Sequence, residues 1–156
     1  MKGLKKRISE LPTMAQLLTM LTFASHQFLY GLTFSLFIIG FAQFKLQSEE
    51  AQATFWQALS TAQSIQSRTL MQGALAGFIW LYLEQGQPAY AAELTALIEW
   101  DDAQLWLAGL FPRLESTLGA ADLEMAIERG KSLDLDTIVQ TILSKQQKVF
   151  TKRDPD

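Results

Sequence analysis

The chain has 156 residues, with 49 % hydrophobic and 19 % charged, and that length fits one domain with a sizeable core. The charged share lies below the roughly 25 % usual in soluble domains, so the chain must bury much of its surface or contact something apolar. A net charge of −3 argues against a nucleic-acid partner, the lack of cysteine excludes disulfides and thiol chemistry, and the lack of asparagine excludes N-glycosylation.

Residues 1–10 carry Lys2, Lys5, Lys6 and Arg7 and read as a basic, flexible terminus. The rival reading is an anchor beside a membrane segment. A secretory signal fits poorly, because the following apolar region is too long and no small-x-small cleavage site follows it. Leu11 to Phe44 has no formal charge. Its pattern predicts two helices over roughly 12–29 and 32–46, divided near Gly31. The densest apolar part, 28–44, could also cross a membrane. The amphipathic segment that follows needs an apolar partner, which favours a buried helix.

Ser48-Glu49-Glu50 reads as a helix start. Ala51, Phe55, Ala58, Leu59 and Ala62 then share one face. The short link at Leu46-Gln47 makes a hairpin over 32–64. A second hairpin spans 67–99. Leu70, Ala74, Phe78, Leu81 and Tyr82 mark its first helix. Gly86 suits the left-handed position past a helix end, and Pro88 suits the next first turn. Tyr90, Ala91, Leu94, Leu97 and Ile98 mark its second helix.

Residues 101–148 read as a C-terminal cap. Asp101 or Asp102 begins a helix that Pro112 kinks or breaks near Phe111, and Gly119 closes it. Leu123, Ala126 and Ile127 mark a short helix stopped by Gly130. Asp134 caps the last helix, with Leu133 and Ile138 as a hydrophobic staple. Residues 151–156 read as a disordered tail. No stretch alternates like a strand. The expected fold is all-α: one domain over 11–150, with antiparallel hairpins in an α-solenoid and a helical cap.

Ala51, Phe55 and Ala58 resemble the small–aromatic–small pattern in the second helix of tetratricopeptide repeats. Ala91 takes the small position of the next unit, while Thr95 and Ile98 depart from the pattern. The two units lie forty residues apart, not the usual thirty-four or so. Gly40 falls one residue from the expected first-helix glycine. More broadly, Phe55 to Leu143 is similar to the C-terminus of large bacterial signalling ATPases, the LuxR/MalT-type transcriptional regulators with tetratricopeptide-like repeats. LEQGQPAYAAELTALI, Leu118-Gly119, Ala126, Gly130, Lys131, Leu133, Leu135 and Asp136 carry the resemblance. It implies a cytoplasmic protein–protein interaction or effector-sensing scaffold, a terminal fragment or small relative of such a regulator. No G-x-x-x-x-G-K-[ST] phosphate loop and no basic recognition helix is present.

No constellation points to an enzyme, a metal or a cofactor. His26 is the single histidine, with no cysteine to join it as a ligand, and is expected to be buried incidentally. Glu49/Glu50, Asp101/Asp102 and Asp134/Asp136 each fall at a predicted helix N-terminus, where capping explains them. Gly73 and Gly77 form a G-x-x-x-G, which reads as close helix packing. The residues expected to pack the repeats are Ala51, Phe55, Ala58, Gly86, Pro88 and Ala91. Trp56, Phe28, Phe34 and Phe37 are the candidate interaction surface. The apolar N-terminal helices are expected to meet a protein partner or a second copy. The alternative is a small inner-membrane protein, with a span near 28–44 and a cytoplasmic helical domain.

Overall fold

The computed structural model describes residues 13–99 and 106–151, the last six as backbone only. Every regular element among them is a helix: α1 (Met14–Lys45), α2 (Ala51–Ser64), α3 (Arg68–Glu84), α4 (Pro88–Thr95), α5 (Leu110–Leu118), α6 (Ala120–Gly130) and α7 (Leu135–Thr151). The expectations for residues 1–10, the Asp101/Asp102 cap and residues 152–156 lie outside the described residues.

α1 is one helix of 32 residues, not two helices divided near Gly31. A glycine inside a helix costs only about 1 kcal/mol relative to alanine, which the residues around it absorb. A capping box starts α1: Gln16 N donates to Thr13 Oγ1 at 3.2 Å, and Thr13 N donates to Gln16 Oε1 at 2.8 Å.

The first three helices end alike. Gln47, Gln66 and Gly86 adopt φ of 56°, 52° and 74°. In each case the next amide reaches back to close a Schellman motif: Ser48 to Gln43 O, Ser67 to Ala62 O and Gln87 to Tyr82 O, at 2.9–3.0 Å. Glutamine takes the usual glycine position twice. Ser67 Oγ then accepts from Leu70 N, and Pro88 opens α4. Ser48 Oγ accepts from Glu50 N, but no side chain caps α2 itself.

These turns fold successive helices back on one another. α1 packs on α2 and α3, α2 on α3, and α3 on α4. α4 then packs on α5 and α6, while α7 returns to cover α2 and α3. Phe55 is at the centre, 0 % exposed. A Cβ at Gly40 of α1 would come within 2.7 Å of its ring, and one at Gly77 of α3 within 2.4 Å. The two glycines are therefore the slot that receives Phe55. Ala51 and Ala58 are buried beside it, as is Ala91 further along. Phe41 and Phe78 flank the ring at centroid distances of 5.2 and 6.3 Å.

α4 stops at Thr95, short of the expected 99. Thr95 Oγ1 donates to Ala92 O, and tight turns follow through Ile98. The buried Gln72 amide donates to Leu97 O at 2.8 Å, satisfying a carbonyl that has left the helix. Gly109, at φ 80°, leads into α5, so Pro112 falls in a first turn, where no amide is needed. Gly130 does more than stop α6. A Cβ there would lie 2.0 Å from Glu93 O, so α6 crosses α4 in direct backbone contact. Asp134 Oδ2 accepts from Thr137 N and Oγ1 at 2.9 and 2.8 Å. These bonds hold the Asp134 carboxyl below the usual carboxylate range.

Candidate interaction surface

Among the described residues, all exposed large apolar side chains except Leu46, Phe111 and Met125 lie on α1. In residues 13–32 every side chain but Leu29, which is half-buried, is exposed. Met14, Leu21, Phe23 and Phe28 are 72, 64, 66 and 70 % exposed. Apart from Leu29, which packs against the core, this half of α1 extends past the body. At 1.5 Å per residue, the twenty residues 13–32 reach about 30 Å.

The second half of α1 has two sides. Leu29, Thr33, Leu36, Phe37, Gly40, Phe41 and Phe44 turn toward the body. Tyr30, Phe34, Ile38 and Ile39 turn away from it and remain exposed. Phe28 and Phe34 thus lie on the open surface as the sequence suggested, but Phe37 does not. It is 3 % exposed, with its ring edge-on to Phe41 and Trp106 at 4.9 Å. Phe34 and Phe37 are three residues apart, and the Trp106 ring from the far end of the chain lies against Phe37. Trp56 is also corrected. It is half-buried, and its Nε1 donates to Leu143 O of α7 at 3.4 Å. The returning α7 partly covers this position of the expected interaction surface.

The polar atoms of α1 are largely satisfied within the helix. Thr19, Thr22, Ser25, Thr33 and Ser35 each donate to the carbonyl four residues back, at 2.7–2.9 Å. The same bond occurs at Thr117 and Thr141 on helices that carry charged side chains, so it does not mark a lipid environment. His26 is exposed, contrary to the expected burial.

A concavity adjoins α1. Ile38, Phe41, Ala42, Lys45, Trp80, Trp106 and Ala108 line a cleft of about 420 Å³. Trp80 Nε1 donates to Trp106 O at 2.9 Å, which fixes its floor. Lys45 and Arg113 stand over the Trp80 ring at 5.2 and 5.5 Å, and Arg113 also pairs with Glu84 at 2.7 Å. The lining holds one cation and no carboxylate, thiol or imidazole, so it offers shape and apolar contact rather than acid–base chemistry.

Elsewhere the acidic pairs do local work. Glu50 accepts from the Gln43 amide at 3.2 Å, and Asp134 caps α7. Among the described residues no group of three or more histidine or acidic side chains could hold a metal. Gly73 and Gly77 are buried on α3, and Gly77 receives Phe55. The exposed side of α1 was visible in the sequence as an uncharged run. Its exposure was not, because an uncharged run also describes a core helix. No known protein family, no curated protein and no solved structure matches the chain.

Proposed function

We propose that this chain is a non-enzymatic, helical-hairpin interaction or effector-sensing scaffold that attaches to its partner through α1. The observation that carries this reading is the uncovered apolar length of α1, on a protein whose other helices bury their apolar faces. Soluble proteins seldom leave an apolar surface of this extent free, and such surfaces mark interfaces.

The packing of α1, α2, α3 and α4 is compatible with a tetratricopeptide-like stack, and the Phe55 slot supplies its small–aromatic–small contact. The returning α7 departs from a strict neighbour-to-neighbour array. A small relative of repeat-containing bacterial regulators, closed at its C-terminal end by α7, accommodates both features. A photoreactive amino acid in place of Phe28 tests the reading in cells. A protein–protein adduct is expected. An adduct to lipid, or none, would contradict it and favour the membrane-anchored alternative, for which the long uncharged α1 is the supporting observation.

A further inference from the structure

Met14, Leu18, Leu21, Ser25, Phe28, Leu32, Ser35, Ile39, Ala42 and Leu46 are all exposed. Their spacing alternates four and three residues without a break, a strict heptad seam along the full length of α1. Eight of the ten are apolar. The hydroxyls of Ser25 and Ser35 are already bonded to Leu21 O and Gly31 O. The seam lies about a quarter turn or more around the helix from the stripe that packs on the body, so another helix can seat on it. The opposite side of residues 13–32 carries Gln16, Thr19, His26 and Gln27, with Phe23 and Tyr30 among them. A bilayer would have to take up those amides and the imidazole, whereas a partner helix leaves them in water.

Building on the reading of α1 as the attachment element, we propose that its occupant is α1 of a second copy of this chain, packed antiparallel. Two observations select that occupant and direction. First, the seam is self-complementary: run in opposite directions about residue 30, each of its ten exposed positions meets another position of the same seam. Secondly, each exposed N-terminal half extends past its own body, so antiparallel pairing lays it along the partner's outer face and sets the two bodies at opposite ends. With its centre near residue 30, Leu21 faces Ile39, Leu18 faces Ala42 and Phe28 faces Leu32.

Light scattering on the full chain in detergent-free buffer should read twice 17.5 kDa. Leu21→Glu and Ile39→Lys should each weaken self-association by at least about a hundredfold, since either buries an unpaired charge. Mixing the two variants should restore the double mass, because 21 faces 39. His26→Glu, on the far side, should leave the pair intact, and an unchanged cooperative melt of the body checks that each variant folds. The chain has no cysteine, so Leu18→Cys mixed with Ala42→Cys should cross-link on oxidation, while Leu18→Cys alone should not. Self-cross-linking of Leu18→Cys would overturn the antiparallel arrangement, and a mass above two chains would overturn the pair. Material that stays monomeric but needs detergent, or floats with phosphatidylethanolamine/phosphatidylglycerol vesicles, would overturn the second copy and favour the membrane-anchored alternative. A soluble monomer without detergent would overturn both.

Discussion

Phe55 shows how single residues hold the body together. Its ring fills a slot made by two missing side chains, Gly40 and Gly77. Phe55→Ala should therefore cost roughly 3–5 kcal/mol, by transfer and cavity terms together. A denaturant melt showing less than about 1 kcal/mol would mean that the slot does not close on the ring. Gly77→Ala tests the same contact from the other side, since the new methyl collides with the ring. A loss of roughly 1–3 kcal/mol is expected from overpacking. Trp56→Ala, at a half-buried position, should cost much less than Phe55→Ala.

Tyr82 gives the residue scale a pH signature. Burial first, and the neighbouring Tyr90 second, raise its phenol from the ordinary 10.0 to about 12. The unfolded chain therefore ionises before the folded one. The stability from a neutral Tyr82 is fully present below pH 10 and is lost as the pH rises toward 12. Thermal melts across that window should show a falling midpoint, and Tyr82→Phe should flatten the fall. An equal alkaline decline in the variant would place the cause elsewhere.

At the scale of the element, the continuity of α1 makes a direct prediction. A Cβ at Gly31 meets nothing within 4 Å, and Gly31 has ordinary helical geometry. Gly31→Ala should therefore stabilise the protein by about 0.5–1 kcal/mol. A destabilisation would indicate that the helix breaks or turns there. Gly31 also shows what the sequence conveyed poorly. A glycine inside an apolar run reads as a boundary only if something else uses the break, and here nothing does. The boundaries at Gln47 and Gln66 fall where the link at Leu46-Gln47 and the hairpins over 32–64 and 67–99 were expected, although glutamine seldom takes the left-handed position that closes them. Gly86, Pro88, Gly119 and Asp134 could be read directly, because each supplies a conformation or a cap that few other residues supply. The covered side of α1 was not legible for a different reason. Phe34 and Phe37 are the same residue in the same composition, and it is a distant contact, Trp106 on Phe37, that distinguishes them. The return of α7 over α2 and α3, which half-covers Trp56, is likewise a long-range event that local periodicity does not encode.

At the scale of the whole molecule, the two ends contrast. The C-terminal helices lie on the body and close it, whereas α1 leaves the body halfway along and carries its apolar side chains into the open. The same sequence thus encodes a finished core around Phe55 and an unfinished surface on α1. Circular dichroism should show a chain almost wholly helical, and substantial sheet would contradict the fold. The central claim is that α1 is completed by contact with something outside its own body. Hydrogen exchange over residues 14–28 tests it most directly. A helical segment without tertiary contacts frays, because short helices are marginal in water on their own. If α1 is covered in the assembled protein, its amides should be protected nearly as well as those of α3, and the protection should fall on dilution or in Leu21→Glu. Exchange over 14–28 close to the free-peptide rate, at concentrations where α2 and α3 stay protected, would show that α1 is left uncovered and would contradict the account.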